Sequence, residues 1–338
     1  MTNDGRRSMK DDWRDAQVLV TGATGFIGAH LVRRLVEQGA QVSALCVEDS
    51  ATLQRLSSLR KVNIDWHQVD LRTFGAVSRA VKAIQPDVVF HLAAQGVTEP
   101  FLSPDAAIRA NVYGTIHLLR AVDGKAPVIV ARTPGERDAL NVYAASKAAA
   151  WTFCAMYRRT HGWPIIGALL FQVYGPGQSM KTLIPAAIAA ALRGDDFPMT
   201  HGKQQRDWVY VADVVEALVS LTVARSSASP DAEPRRTLHE RLATAGAAQG
   251  DVFPDTIEVG TGKTASVREV VESIYRIAGG SGKPLVGALP ARPGEVQHQA
   301  ADAHRTEQLI GWRARTTLDD GLRKTIEWTR ERLIQPAN

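Results

Sequence analysis

The sequence predicts an α/β protein: a doubly wound parallel sheet with a smaller mixed α/β C-terminal region. Three observations predict it. A short apolar run, Gln17-Val-Leu-Val-Thr21, ends in the glycine turn Gly22-Ala-Thr-Gly25-Phe-Ile-Gly28. An amphipathic stretch over roughly 30–38 then stops at Gly39 and gives way to a second apolar run over 41–47. Strand, glycine turn, helix, strand is the βαβ context of a dinucleotide site. Further apolar runs at 86–92, 128–133 and 167–174 alternate with helical stretches, as a parallel sheet requires.

Bulk properties narrow the function classes. The chain has 338 residues, 45% of them apolar and 22% charged, which is ordinary for a globular protein. Its net charge of +5 is dispersed, with no Lys/Arg run beside aromatics, so no nucleic-acid partner is expected. A modest positive balance suits a phosphate-bearing substrate. Cys46 and Cys154 offer neither a disulfide framework nor metal-ligand spacing, so no metal is expected. Residues 1–16 lack the apolar core of a signal peptide, and no apolar run is long enough to span a bilayer. These features predict a cytoplasmic protein with no membrane partner, a disordered tail over 1–13 and a flexible insertion over 224–255 rich in Ala, Ser, Pro and charge.

The three glycines of the turn differ in role. Gly22 permits the tight turn, Gly25 lets the backbone approach a pyrophosphate, and Gly28 lets helix and strand pack closely. The helix start offers free N–H groups and the positive dipole end to phosphates. Further on, Asn141-Val-Tyr143-Ala-Ala-Ser-Lys147 places a phenol and an ammonium one helical turn apart. That spacing alone is common; its position downstream of the glycine turn gives it weight. A neighbouring positive charge favours phenolate, so Tyr143 is expected to have a lowered pKa and to pass a proton near neutral pH.

With Thr21, the Thr-Gly-x-x-Gly-Phe-Ile-Gly pattern resembles the extended branch of the short-chain dehydrogenase/reductases, which holds NAD-dependent nucleotide-sugar epimerases, dehydratases and reductases. The resemblance spans about 17–333 and implies a Rossmann-type fold. It implies that Gly22, Thr24, Gly25, Phe26, Ile27 and Gly28 bind the dinucleotide, with Asp70 and Leu71 at the adenine end. Leu92, Ala93 and Ala94 would line the nicotinamide-ribose side, with His91 a structural histidine and Asn111 supporting the site backbone. The acidic position that usually closes the second strand is Cys46, with Glu48 and Asp49 just beyond, so NAD is favoured and NADP stays open.

The resemblance also implies Tyr143 as acid/base, Lys147 on the cofactor ribose and Thr133 on the reacting sugar oxygen. Gln95, Gln172, Arg206 and Arg292 would contact a nucleoside-diphosphate sugar, the two arginines meeting the diphosphate. Only nine residues, 134–142, separate Thr133 from Tyr143, where relatives carry a longer excursion. A sugar-4,6-dehydratase would have Asp-Glu directly after the threonine; here Pro134-Gly135 intervenes and Glu136 comes one place late, which disfavours that chemistry. Asp213 reads as an N-cap for a helix over 214–223, and Ser266 with Glu269 as a capping box.

The expected organisation is a cofactor domain over 14–174, joined by 207–223 and 256–260, and a substrate region over 175–206 and 261–333. The expected activity is an epimerase working by transient hydride transfer. A 4-ketoreductase of a deoxysugar nucleotide and a non-catalytic NAD(P)-binding protein remain as alternatives. A homodimer is expected from the resemblance.

Overall fold

The computed structural model describes residues 13–48, 59, 62–97, 99, 102–223, 256–291 and 294–334. The expectations for the tail, for the insertion and for Asp49 and Arg292 fall outside these residues, apart from Trp13, which is buried in the core.

Seven parallel strands form the main sheet: β1 (Gln17–Thr21), β2 (Gln41–Cys46), β3 (Asp65–Gln68), β4 (Val88–His91), β5 (Val128–Arg132), β6 (Ile165–Leu170) and β10 (Thr256–Val259). Their order is β10-β6-β5-β4-β1-β2-β3. The chain order reverses between β1 and β4, and such a switch opens a crevice at the carboxyl ends of those strands. Helix α1 (Phe26–Glu37) covers one face, and α2 (Phe74–Ile84), α3 (Gly114–Val122) and α4 (Val142–His161) cover the other. With both faces covered, β4 and β6 are buried along their whole length, which explains why they read as unbroken apolar runs.

Helix α1 begins at Phe26 rather than near residue 30. Gly28 lies inside its first turn, where it packs on the strand instead of breaking the helix. A Cβ there would stand 2.1 Å from the Gly22 carbonyl oxygen.

The run over 167–174 is two strands. β6 stays in the main sheet, and β7 (Gln172–Tyr174) pairs with β9 (Gln205–Tyr210) of a second sheet, with only Phe171 between them. β9 also pairs antiparallel with β11 (Thr264–Ser266) and parallel with β13 (His298–Gln299). Helices α5 (Leu183–Arg193), α7 (Val267–Ala278) and α8 (Leu318–Ile334) bury a separate apolar cluster against this sheet, centred on Tyr174, Ile188, Trp208 and Ile274. β8 (Phe197–Met199) and β12 (Pro284–Val286) form a two-stranded pair at its edge.

Asp213 is not an N-cap. Helix α6 (Val211–Val223) follows β9 without a break, and the Asp213 carboxylate instead accepts the Thr316 amide at 2.9 Å. The capping box of α7 is present: Ser266 Oγ accepts Glu269 N at 3.1 Å and Glu269 Oε2 accepts Ser266 N at 2.6 Å. The glycine loop before it, Gly260 to Gly262, is filled by the chain's own Asp207. That carboxylate accepts four hydrogen bonds, from Thr261 N, Thr261 Oγ1, Gly262 N and Ala301 N, at 2.7–3.1 Å.

Candidate active site

A cavity of about 490 Å³ lies at the switch point. Of the residues expected at the cofactor, Gly22, Thr24, Gly25, Asp70, Leu71, Leu92, Ala93, Ala94 and Asn111 line it, and so does Gln95. Gly22 has φ +75°, and a Cβ there would meet Ala93 N at 2.6 Å. Gly25 behaves differently. Its φ of −78° suits any residue, and a Cβ would meet only the Gly22 carbonyl, at 3.2 Å. Among the described residues, nothing else comes within 4 Å of that position. Phe26 lines a small adjoining pocket with Thr24 and Gly25, while Ile27 packs its side chain on the core. The first turn of α1 has neither a side-chain cap nor an acidic residue, so its amides and dipole face the crevice uncompensated.

At the far end, Thr24 Oγ1 donates to Glu48 Oε1 at 3.0 Å, holding a carboxylate in the cavity wall two residues past the usual place. Cys46 contributes only a buried thiol, pushed up to about 11 chiefly by burial. Asp70 accepts Arg72 through Nε at 2.8 Å and Nη2 at 2.6 Å, and this holds its carboxyl below the usual range. Arg72, Glu99 and Ala110 also line the cavity and were not expected there; only the adjacency of Arg72 to Asp70-Leu71 pointed to it.

A chain of buried hydrogen bonds fixes the floor. Thr115 Oγ1 donates to Asn111 O at 2.6 Å, which leaves its oxygen to accept from His91 Nε2 at 2.9 Å. His91 Nδ1 is then the acceptor for the Thr21 hydroxyl at 2.7 Å, and Thr21 Oγ1 accepts Ala93 N at 3.3 Å. His91 is thus a neutral structural histidine whose pKa burial lowers to about 3. Asn111 sits in a π-helical turn (Ile108–Tyr113) and is fully engaged. It accepts Gln95 N at 2.8 Å and donates to Gln95 O at 2.9 Å and to Ser146 Oγ at 2.8 Å. Ser146 Oγ in turn donates to Tyr143 O at 2.8 Å, so the cavity floor is tied to the tyrosine helix.

Helix α4 starts with Asn141, whose side chain accepts Ala144 N at 2.8 Å. This fixes Tyr143 in the first turn, where its side chain lies 3.4 Å from the Cβ position of Gly96, just beyond the Ala93–Ala94–Gln95 wall. Tyr143 is not tuned as its spacing implies. Burial, and secondarily the Glu136 carboxylate, push its phenol up to about 12. Lys147 is buried and its pKa is lowered, chiefly by desolvation, against an upward pull from Glu136. Thr133 closes β5 and caps a 3-10 turn, Pro134–Glu136, with Glu136 Oε1 accepting the Thr133 amide at 3.0 Å.

Among the residues expected at the substrate, Arg206 Nη1 donates to Gln205 O at 2.9 Å and Nη2 lies 3.7 Å from Glu295 Oε1. Glu295 is the last residue of the Arg292-Pro-Gly-Glu motif, so the described end of that motif reaches Arg206. The short active-site loop meets it too, since the Cβ position of Gly294 is 3.9 Å from Leu140 Cδ2. Gln172 is exposed at the start of β7.

A model of the NAD dependent epimerase/dehydratase family matches residues 18–232. The chain belongs to that family. The dTDP-glucose 4,6-dehydratase of Xanthomonas campestris pv. campestris is 30% identical, over 92% of this chain and 92% of its own length. Among solved structures, MoeE5 in complex with UDP-glucose and NAD is 30% identical, with a TM-score of 0.72 over 93% of this chain and 98% of that one. The UDP-glucose 4-epimerase of Thermotoga maritima, with UDP-glucose, has a TM-score of 0.75 at 24% identity, over 93% and 98% of the two chains.

Within this epimerase/dehydratase family member, Glu136 is the carboxylate nearest in sequence to the expected dehydratase position. Its Oε2 is taken by Arg132 and its Oε1 by the Thr133 amide. Among the described residues, no group of three or more His, Cys, Asp or Glu could hold a metal, and no helix is long and apolar enough to cross a membrane.

Proposed function

We propose that this family member is an NAD-dependent nucleotide-sugar epimerase acting through a keto intermediate. The observation that carries the reading is the division of labour at the end of β5. Tyr143 stands beside the cavity wall, while the neighbouring carboxylate, Glu136, is bound on both oxygens and has no free edge to remove water from a sugar. The residues at the switch point fit a dinucleotide: open space above Gly25, uncapped amides at α1 and small side chains at Ala93 and Ala94. Glu48 in the wall favours NAD, since a carboxylate there repels a 2′-phosphate.

When bound, oxidised NAD supplies a hydride acceptor with a cationic ring. As phenolate, the form that a cationic ring beside it would favour, Tyr143 would take the proton of the sugar hydroxyl as the carbon becomes a carbonyl, and would return that proton when the alcohol is re-formed with the opposite configuration. Lys147 holds positive charge beside the site, and Thr133 orients the hydroxyl. Arg206 and Arg292 would hold the diphosphate, a pairing suited to guanidinium; the UDP-glucose bound by MoeE5 supports that substrate class. The 30% identity to a dTDP-glucose 4,6-dehydratase favours a second reading, loss of water from a dTDP-hexose, which Pro134-Gly135 and the engaged Glu136 oppose. A cofactor domain over 14–174 with 207–223 and 256–260, a homodimer and a cytoplasmic setting belong to the same proposal.

The test is mass spectrometry of molecules released from the purified protein, followed by turnover of UDP- and dTDP-hexoses without added cofactor. Retained NAD and an isomer of unchanged mass are expected, and Tyr143→Phe should lower the rate by about 10²-fold or more. A product lighter by one water, or stoichiometric consumption of NADPH, would overturn the epimerase reading.

A further inference from the structure

Arg132 ends an otherwise apolar strand, yet its side chain and that of Glu136 are each only 1% exposed. Nε and Nη2 donate to Glu136 Oε2 at 2.9 and 2.7 Å, and Nη1 donates to Thr256 Oγ1 at 2.7 Å. The guanidinium lies 4.1 Å from the centroid of the Trp151 ring. Gly167 on β6 makes the room: a Cβ there would stand 2.9 Å from Arg132 Cδ and 2.8 Å from both Thr256 Oγ1 and Trp151 Cη2. Three elements, β6, β10 and α4, are thus shaped around one ion pair. Apolar side chains of similar volume stabilise a fold at least as well as a buried pair, so stability alone does not account for it.

Position relative to the site does account for it. The remaining Glu136 oxygen accepts the Thr133 amide, and the turn it closes rests on the tyrosine helix. A Cβ on Gly135 would lie 3.6 Å from Ala144 Cβ and 3.8 Å from Thr133 Oγ1. We propose that Glu136, anchored by Arg132, is the positioning residue of this active site, setting Thr133 against the Tyr143 helix and presenting a fixed negative charge to Tyr143 and Lys147. The proposal rests on Tyr143 being the acid/base.

Among the described residues, the following charged and titratable groups face this pair. Glu136 on the turn acts on both Tyr143 and Lys147; Arg132 on β5, Cys154 on α4 and His91 on β4 face Lys147; Arg137 faces Arg132. His91 is neutral, so Glu136 is the one group in this set that disfavours phenolate. Removing its charge makes Tyr143 easier to ionise.

The experiment is the pH profile of dinucleotide reduction in the NAD-loaded full chain on adding UDP-glucose or dTDP-glucose. In Glu136→Gln the rising limb should move about one pH unit downward. Glu136→Asp, which keeps the charge, should hold the limb near its original pH at a reduced rate. If Glu136→Gln fails to fold, the double variant Arg132→Met/Glu136→Gln should show the same downward shift. A rate reduced equally at every pH, with the limb unmoved, would overturn the proposal. A second readout separates this inference from the functional reading: titration of Tyr143 in ¹³C-tyrosine-labelled protein, assigned with Tyr143→Phe. A downward shift in Glu136→Gln supports the inference even if no sugar nucleotide is turned over, which would sink only the functional reading. An unmoved Tyr143 resonance overturns the inference whatever the turnover.

Discussion

Two glycines three residues apart, Gly25 and Gly28, should respond oppositely to the same added methyl group. In Gly28→Ala the new Cβ falls 2.1 Å from Gly22 O, 2.8 Å from Gly22 C and 2.9 Å from Ala23 Cα, all backbone atoms that cannot swing aside. An ordinary carbon–oxygen contact is more than 1 Å longer. The roughly 1 kcal/mol by which Ala outdoes Gly inside a helix is therefore overrun by overpacking of about 3 kcal/mol or more, a net loss of about 2 kcal/mol. In Gly25→Ala the backbone at φ −78°, ψ 172° accepts alanine, and its tightest contact is 3.2 Å. Stability should stay within about 1 kcal/mol of the wild type, because the lost freedom of the unfolded chain offsets the mild crowding. Yet the methyl group enters the space reserved above the turn, so affinity for NAD should fall at least about tenfold, ~1.4 kcal/mol. Urea unfolding reads the first quantity, and titration calorimetry of NAD into protein freed of dinucleotide reads the second. Wild-type NAD affinity in Gly25→Ala, or wild-type stability in Gly28→Ala, would refute the roles given to these two positions.

Two further outcomes follow from buried groups. The unfolded chain takes up a proton on His91 below about pH 6.5 that the folded protein refuses until about pH 3, so stability should fall with pH across that window. The slope from His91 is about 1.4 kcal/mol per pH unit, with His30, also lowered by burial, adding in the same direction. Urea unfolding at several pH values should show a shallower slope in His91→Gln; an unchanged slope would remove His91 from the account. Asp207→Asn should destabilise by about 3 kcal/mol, because its amide group would face N–H donors now met by a carboxylate oxygen. A loss below about 1 kcal/mol by urea unfolding would show that the Gly260–Gly262 loop does not depend on that charge.

The sequence made the cofactor crevice legible because its constraints are local: Gly22, Gly25 and Gly28 act within one turn, and the small residues after β4 follow their strand directly. It was less informative where an apolar run could serve either of two sheets, as at Phe171, where only tertiary pairing divides β6 from β7. The start of α1 was hidden because Gly28 looks like a helix breaker and acts as a packing contact. Asp213 was mistaken for a cap because β9 passes into α6 with no intervening turn. The i,i+4 spacing of Tyr143 and Lys147 reported adjacency on a helix but not burial, and burial with Glu136 reverses the expected shift of the phenol. The Arg132–Glu136 pair left a signal, an arginine closing an apolar strand and a glutamate four residues on. What it lacked in sequence was Gly167 and Thr256, contributed by strands more than thirty and more than a hundred residues away.

The handover at Phe171 has a mechanical side. The chain passes between the two sheets and their packed helices at several places, and three of them are short: through Phe171, at the junction of Tyr210 and Val211, and over the four residues between Val259 and Thr264. Phe171 N remains bonded to Val259 O at 3.1 Å, so two of these crossings brace each other. Crossings this short limit how far the backbone can separate the two sheets at those points.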